Sequence, residues 1–387
     1  MISFRNAFND KNEVREIWDY CFEDSKEYQD FYFENIYKDK NTIIGYENDK
    51  IIASLQLNNH IINLNSINIS CPYIVGVSTL PEYRGNGIMK KIMDEAFFNI
   101  SKSNNICILM PIDHRLYRKY GFEDISDMME IKMDIFSLNN FKKKDYSIEK
   151  INDINLLELK NIYLDSLINY NSYAFRNDKY FRNLIKESYA ENANIFLSKD
   201  KEGNYDGYIY YTLSLGKIFI RELYYKNINS LKAFLNFIYN HNMQAKEVII
   251  NTATKNSIRY ILKDLKNISM KIKPFMMGRV VNVLELLKEV NIFETLDENE
   301  NIKIKVIDKN IKNNDSIYHI NKNTIFKVDD LNYDVLIDIK YFSQLIFSYR
   351  SVEELLFEEK LELINKEKIQ ILKKLFIEKN NHINEYI

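Results

Sequence analysis

The chain of 387 residues lacks several features that would point directly to a function class. Its formal net charge is only −2. A field this weak cannot steer nucleic acid or an anionic membrane surface to the protein. We therefore expect neither as a partner.

Cysteine and histidine are both scarce. The three cysteines, Cys21, Cys71 and Cys107, are odd in number, far apart and flanked by apolar residues. This pattern is typical of reduced core residues in a cytoplasmic protein. No histidine lies near any of them, which disfavours a nucleophilic cysteine. The five histidines never fall at ligand spacing, so we expect no metal.

Long uninterrupted apolar runs are also missing. Residues 51–81 lack Asp, Glu, Lys and Arg, but five asparagines interrupt them, so they predict buried strands and no membrane span. The first ten residues, MISFRNAFND, have no apolar core of signal-peptide length. We therefore expect a cytoplasmic protein. With 46% hydrophobic and 28% charged residues the chain is globular, and its length predicts two or three domains.

Glycine is rare as well, with nine in the whole chain. Two of them, Gly85 and Gly87, stand one residue apart, between a predicted strand and a helical pattern. In such a turn successive N–H groups point into one concavity, and the start of the helix adds its positive end. The turn therefore predicts a phosphate site, with a merely tight turn as the alternative.

The hydrophobic pattern alternates helix and strand, which predicts an α/β fold. The first part contains two amphipathic helices, then three strand-like runs joined by Asn-rich turns, the clearest at Asn58 and Asn59. Residues 137–278 repeat the order. Their turn YYKNINS has neither Gly nor Arg, so the second part is expected to lack the phosphate site.

The runs VSTLPEYRGNG and YRKYGF resemble the acetyl-coenzyme A signature of the GNAT N-acetyltransferases, with Arg84 and Gly87 at matching positions. Met89 stands where a small residue is usual, a feature of the Eis-like (enhanced intracellular survival) branch. The resemblance extends along the whole chain. It implies tandem GNAT folds at 1–136 and 137–278, the second degenerate, and a sterol-carrier-protein-like α+β domain at 279–387.

The resemblance also implies roles for individual residues. Tyr117 is implied as the general acid, since a phenol with a pKa near 10 keeps its proton at neutral pH. Tyr120 is expected to be structural. The backbone edge of strand four and the glycine turn are implied to hold acetyl-coenzyme A; the residues are Val77, Ser78, Thr79, Arg84, Gly85, Asn86, Gly87, Ile88, Met89 and Lys90, with Lys91 an alternative source of charge.

The general base is less well defined. By resemblance it is the C-terminal carboxylate of Ile387, at the end of the run HINEYI. Without the resemblance this terminus reads as frayed. Other candidates for the base are Glu23, Asp24, Asp113 and His114.

The expected acceptor is a cationic amine. The residues implied to bind it are aromatic or acidic; they are Trp18, Phe22, Glu23, Asp24, Tyr28, Tyr32 and Asp113. An aromatic wall with carboxylates suits a polyamine, an aminoglycoside or a lysine side chain. Core packing is at least as good an explanation for each aromatic residue, and it is the better one for Trp18 and Phe22.

The expected reaction is direct attack of the amine in a ternary complex, since no activated nucleophile is visible. The resemblance implies a homo-oligomer, a hexamer in the family. Two rival functions remain: a lipid or small-ligand carrier with a vestigial acetyltransferase domain, and a coenzyme A sensor without turnover.

Overall fold

A computed structural model of the chain describes residues 2–142, 145–151 and 155–386. The first unit begins with two helices and three strands and closes with β6. Its elements are β1 (Ser3–Asn6), α1 (Lys11–Cys21), α2 (Lys26–Asn35), β2 (Thr42–Glu47), β3 (Lys50–Leu64), β4 (Ile67–Thr79), α3 (Ile88–Ser101), β5 (Ile106–Leu109), α4 (His114–Arg118) and β6 (Glu123–Asp134).

The second unit repeats this alternation. Its elements are β7 (Ser147–Lys150), α5 (Leu156–Ser166), β8 (Tyr173–Ala174), α6 (Asp178–Ala190), β9 (Asn194–Lys199), β10 (Tyr205–Ser214), β11 (Lys217–Tyr225), α7 (Ile228–Tyr239), β12 (Glu247–Thr252), α8 (Ile258–Ile261) and β13 (Ser269–Val280).

The third unit is smaller. Its elements are α9 (Val283–Glu289), β14 (Asn301–Ile307), β15 (Ser316–Asn321), β16 (Thr324–Val328), β17 (Val335–Asp338), α10 (Ile339–Ile346), α11 (Val352–Phe357), β18 (Leu361–Leu363) and α12 (Ile369–Leu375). The fold is mixed α/β, as predicted. Among the described helices, none is long and apolar enough to cross a membrane.

Local sequence explains the ends of several helices. The Ser25 hydroxyl accepts a hydrogen bond from the Tyr28 N–H at the start of α2. The spacing of Ser351 and Glu354 in the sequence predicts a capping box, and at the start of α11 the side chain of each accepts from the backbone N–H of the other. On α1 the buried residues Val14 and Trp18 lie one helical turn apart, which turns that face to the core.

One expected turn is wrong. Asn58 and Asn59 do not end a strand, since β3 runs unbroken from Lys50 to Leu64 and pairs with β4 along most of its length. The hairpin turn is at Asn65 and Ser66, both with positive φ. The Tyr32 hydroxyl donates to the Asn58 carboxamide at 3.2 Å, so a tertiary contact satisfies a side chain that would otherwise favour a turn.

The first two units share one sheet. The order of its main path is β1-β2-β3-β4-β5-β13-β6-β12-β11-β10-β9-β7, and β8 pairs with β3. Strand β13 of the second unit lies between β5 and β6 of the first, while β6 lies between β13 and β12. Each unit therefore lends a strand to the other, and the boundary expected near 136 divides the chain but not the sheet.

The third unit has its own five-stranded sheet, ordered β16-β15-β14-β17-β18. It is tied to the rest by Arg279 at the end of β13. This fully buried guanidinium lies 2.7 Å from Asp308 and donates to the Tyr120 carbonyl oxygen. It also lies against Gly121, whose φ of +82° and lack of a side chain permit the contact.

After α12 the chain returns to the middle of the molecule. Residues 381–385 are buried. The Asn381 side chain donates to the carbonyl oxygens of Ile125 and Phe347, and the Ile383 N–H donates to Ser126 at 3.1 Å. Residues 381–385 of this tail, which comprises residues 377–386, therefore lie inside the protein beside the shared sheet.

Candidate active site

Strands β4 and β5 separate early. Within the part of the chain that the structure describes, they pair in parallel only at Tyr73 and Ile108, yet β4 continues to Thr79. Val77, Ser78 and Thr79 therefore lie on an edge that β5 does not cover. Such an edge can bond an extended amide-bearing chain as a further strand would.

A bulge marks this part of β4. Gly76 has a φ of +56°, and the register against β3 shifts beside it. The Trp18 ring and the Gln56 carboxamide occupy the space that a side chain at Gly76 would need. Only glycine fits here, which fixes the bulge next to the open edge.

The turn after β4 forms a cradle at the start of α3. Gly85 and Gly87 have φ of +84° and +72°, and a Cβ on either would meet no atom within 4 Å. No side chain caps α3, so the N–H groups of its first turn face this open space. The Arg84 Nε donates to the Thr79 carbonyl oxygen at 3.0 Å and holds the turn against β4. These groups fit a diphosphate.

The other residues of the cradle have distinct surroundings. Asn86 is exposed and its side chain donates to the Tyr83 carbonyl oxygen. Ile88 is buried and Met89 packs beside the core, so both anchor the helix. The Lys90 ammonium pairs with Asp94 at 2.8 Å on the exposed face of α3.

Tyr117 lies on α4 and is buried, with its ring edge-on to Phe122. Burial raises the pKa of Tyr117 to about 12, and the neighbouring Tyr120 adds to the shift. The phenol is therefore protonated at neutral pH and can donate a proton. Tyr120 is buried as well, and burial also raises its pKa.

The start of α4 is held by contacts that occupy two of the candidate bases. Asp113 accepts from the Arg115 N–H as the helix cap, and the Arg115 side chain lowers the pKa of Asp113 to about 2. The His114 Nδ1 lies 2.6 Å from Asp124. Both side chains are thus engaged in structural contacts on this helix.

A cavity of about 630 Å³ lies between the first unit, the second unit and the tail. Residues from α2, β3, α6 and the tail contribute to its lining; they include Tyr28, Tyr32, His60, Tyr180, Glu187, Glu385 and Tyr386. The Tyr73 hydroxyl donates to the Glu385 carbonyl oxygen at 3.1 Å. The cavity therefore adjoins the point where β4 and β5 separate.

A buried charge cluster holds Glu385 in the cavity wall. Arg176 is fully buried and bonds Glu222 through both terminal nitrogens, at 2.9 and 3.0 Å. Its Nε donates to Glu385 at 3.0 Å, and Tyr180 donates to the same carboxylate at 2.7 Å. Burial alone raises the pKa of Glu385, but Arg176 and the hydrogen bonds from His60 and Tyr180 outweigh it and bring the pKa to about 2.

The second carboxylate of the wall, Glu187, has its own arginine. Arg221 donates to Glu187 at 2.7 Å and lies over the Tyr386 ring, 4.8 Å from its centroid. Burial raises the pKa of Glu187, and Arg221 opposes the shift. Arg221 thus joins the cavity wall to the tail.

Among the predicted acceptor residues, the structure brings Tyr28 and Tyr32 into the cavity lining. The Trp18 ring stacks on the Tyr32 ring, with 4.6 Å between the ring centroids, and the Trp18 Nε1–H donates to the Asp24 carboxylate at 2.8 Å. The cavity lining does not include Trp18, Phe22, Glu23, Asp24 or Asp113. Ile387 lies outside the described residues, but its neighbour Tyr386 lines the cavity.

Sequence reasoning missed the residues that build this wall. Arg176, Glu187, Glu222 and Arg221 are single charges at scattered positions, and no local motif marks them. Their burial is the signal, nearly complete for Arg176, Arg221 and Glu222 and partial for Glu187, and it exists only in the folded chain. Among the described residues, no group of three or more His, Cys, Asp or Glu is placed to hold a metal ion.

Comparison with known families agrees with this geometry. Residues 7–125 and residues 173–280 each match a family model for an acetyltransferase (GNAT) domain, and together they span more than half of the chain. Residues 283–384 match the sterol carrier protein domain. The chain thus belongs to the GNAT acetyltransferases and is an acyltransferase. Its order of two GNAT domains and one sterol carrier protein domain is that of the Eis-like branch, which confirms the predicted family.

Solved structures share the whole fold. A probable N-acyltransferase from Enterococcus faecalis V583 has a TM-score of 0.86 at 20% identity, and a GCN5-related N-acetyltransferase from Anabaena variabilis has 0.82 at 19%; all of both chains is covered in each case. Eis1 from Mycobacterium abscessus has 0.77 at 10% identity, again over all of both chains. No curated protein matches the sequence significantly. The GNAT domains imply acetyl-coenzyme A as the cosubstrate.

Proposed function

We propose that the protein transfers the acetyl group of acetyl-coenzyme A to a primary amine of a small molecule or of a lysine, bound in the cavity. The observation that carries this proposal is the position of the cavity. It adjoins the separation of β4 from β5 through the contact between Tyr73 and Glu385. An acceptor in the cavity therefore lies next to the edge proposed for the donor.

In this proposal the donor is held mainly by backbone. The open edge of Val77, Ser78 and Thr79 bonds the pantetheine arm, and the cradle from Arg84 to Lys90 receives the diphosphate. The support is the uncapped start of α3 together with the open space before Gly85 and Gly87. When bound, acetyl-coenzyme A supplies a thioester carbonyl carbon that an amine can attack.

The chain's residues then handle two protons. The neutral amine forms the new C–N bond as the C–S bond breaks, and the Tyr117 hydroxyl gives its proton to the leaving sulfur. The amine's proton goes to a base. The carboxylate of Ile387 remains the proposed base. The support is that residues 381–385 are buried and that its neighbour Tyr386 lines the cavity.

The acceptor is proposed to be cationic before it loses a proton. Glu187 and Glu385 offer negative charge, while Tyr28 and Tyr32 offer aromatic surface. The predicted cytoplasmic location and homo-oligomer, a hexamer by resemblance, stay predictions.

An assay of free thiol release over a panel of amines tests the proposal. We expect Tyr117→Phe to lower kcat by at least about a hundredfold, because the proton donor is lost. The Kd for acetyl-coenzyme A, measured by calorimetry, should not change. Tyr120→Phe is the matched control and should retain most of the activity.

Three outcomes would contradict the proposal. Equal loss of donor binding in Tyr117→Phe would mean that Tyr117 is structural. Tight acetyl-coenzyme A binding without turnover on any amine would favour a sensor, and lipid binding without donor binding would favour a carrier. For the base, appending residues after Ile387 should abolish activity, and full retention would exclude its carboxylate.

A further inference from the structure

The charged groups of the cavity are sorted by depth. The carboxylates Glu187 and Glu385 lie in its buried part, and Glu385 is only 1% exposed. Two lysines, Lys38 after α2 and Lys179 in the first turn of α6, line the same cavity but are exposed. The floor is thus acidic and the rim basic.

The floor carries more carboxylates than guanidinium groups. Arg176 serves both Glu222 and Glu385. Arg221 lies 2.7 Å from Glu187 and 3.3 Å from Glu191. Since each buried arginine faces two carboxylates, the floor can accept an ammonium group without leaving an arginine uncompensated.

The rim has the opposite character. In the described ranges, neither Lys38 nor Lys179 has a hydrogen-bond or ion-pair partner for its ammonium group. Lys179 is the largest cause of a lowered pKa at Lys38, so the two positive charges repel each other. Their mutual repulsion would be relieved by an anion between them.

The carboxylates closest in sequence to these lysines are engaged elsewhere. Asp39 accepts from the Tyr37 hydroxyl at 2.8 Å and from the Asn9 N–H at 2.9 Å. Asp178 pairs with Lys160 at 3.0 Å. The protein therefore leaves the positive charge at the rim for another molecule.

We propose that the acceptor is a small amine that carries an anionic group, a carboxylate or a phosphate, at its other end. Its ammonium group lies at the floor beside Glu385, next to the separation of β4 from β5, and its anionic group lies between Lys38 and Lys179. This inference rests on the proposed function and narrows it. Polyamines and aminoglycosides would place further positive charges against the two lysines.

Matched pairs of amines test the inference with the full-length protein. Lysine and cadaverine differ only by a carboxylate, and phosphoethanolamine and ethanolamine differ only by a phosphate. We expect kcat/KM to favour the anionic member of at least one pair by about tenfold, the effect of two partly exposed charges. A preference within the first pair indicates that the cavity accepts a carboxylate, and a preference within the second pair indicates a phosphate.

Charge reversal locates the preference. The double variant Lys38→Glu/Lys179→Glu should bring the ratio of kcat/KM within the pair close to one or reverse it. Arg182→Glu, an exposed charge on the same helix α6 that does not line the cavity, should leave the ratio unchanged. The inference is overturned if the wild type prefers the member of each pair that lacks the anionic group, or if the double variant keeps the wild-type ratio.

A binding measurement separates this inference from the proposed function. Calorimetric titration of the same four compounds into wild type and double variant does not require turnover. If no amine is acetylated but the anionic members bind more tightly only to the wild type, the proposed function fails and the charge-sorted cavity stands. If the amines are acetylated without either preference, the inference alone fails.

Discussion

The two GNAT domains of this chain each have a gap between two parallel strands, and the gaps differ in what lies beside them. In the first, β4 parts from β5 beyond Tyr73 and leaves a free edge. In the second, β11 pairs in parallel with β12 over residues 217–220 and then also parts from it. Both domains therefore have a gap between two parallel strands at the same place in the fold.

The tail fills the second gap. The Asn384 side chain donates to the Arg221 carbonyl oxygen, just past the last paired residue of β11. On the other side, the Asn251 side chain of β12 donates to the Tyr386 hydroxyl at 2.6 Å. The gap proposed to hold a donor in the first domain holds a segment of the protein itself in the second.

The helices that follow the two gaps, α3 and α7, differ in how their first turns are capped. Gly87 leaves the start of α3 uncapped. At the start of α7, the Asn227 carboxamide accepts from the N–H groups of Asn229 and Ser230, and Asp206 accepts from Asn227 at 2.8 Å. The N–H groups that could face a phosphate already have partners. One copy of the fold thus keeps an open site while the other supports the wall of that site.

The largest expected effect on stability comes from removing the buried arginine that pairs with Glu222 and Glu385. Arg176→Met should lower the free energy of unfolding by about 3–5 kcal/mol, because it leaves Glu222 and Glu385 buried and unpaired. Urea unfolding measures this. The control Arg182→Met on α6 should change little, and adding Glu385→Gln to Arg176→Met should recover part of the loss. If Arg176→Met and Arg182→Met unfold alike, the cluster does not hold the tail.

The second largest expected effect is that acid lowers the stability of the protein through the buried groups of the tail. The pKa of Glu385 is about 2, below its ordinary 4.5, so its stabilising contribution is present above pH 4.5 and is lost as the pH falls toward 2. Burial lowers the pKa of His382 to about 3 from 6.5. Between pH 6.5 and pH 3, His382 is protonated in the unfolded chain but neutral in the folded chain. The free energy of unfolding therefore also decreases as the pH is lowered, by at most about 1.4 kcal/mol per pH unit.

Unfolding midpoints in urea between pH 7 and pH 3 check this. His382→Gln should flatten the pH dependence, whereas His319→Gln should have a smaller effect, because His319 is only half-buried and its pKa is less perturbed. An unchanged slope in His382→Gln would show that the tail does not govern acid stability.

Substitutions of two glycines should have the smallest effect on stability, but they should differ most in their effect on acetyl-coenzyme A binding. Gly87 in the cradle and Gly216 in the β10–β11 hairpin both have a φ of +72° with open space around them. Valine at either should cost about 1–2 kcal/mol of stability, because both require the left-handed conformation. Only Gly87→Val should also weaken acetyl-coenzyme A binding, by at least about tenfold, since it fills the cradle. Calorimetry that found equal binding in both variants would remove the cradle from the proposal.

Features encoded locally could be predicted from the sequence. The capping box of Ser351 and Glu354 depends on residues three apart, and its geometry follows from the helix itself. The cradle at Gly85 and Gly87 is similar, because glycine adopts positive φ at no steric cost and two glycines in one short turn favour that conformation. The missing cradle of the second domain was visible in YYKNINS for the same reason.

Features that depend on distant partners could not. Asn58 was expected in a turn because asparagine favours turns, but Tyr32 from another element satisfies it within β3. Trp18 was named as an acceptor candidate because aromatic rings bind cations, with core packing the favoured alternative, and in the structure its ring packs against the bulge at Gly76. In both cases the residue's own preference was outweighed by a contact from elsewhere in the chain.

The sequence by itself determined the family, the α/β class, the glycine turn before α3 and the choice of Tyr117 as the candidate acid, because each depends on a short segment. The tertiary structure alone decided the exchange of β6 and β13, the place of the tail in the second gap, and the acidic floor beneath a basic rim. Arg176, Glu222 and Glu385 are far apart in the chain, and their charges are compensated only when burial brings them together. A buried charge needs a partner in space, and the order of residues does not state which one it will be.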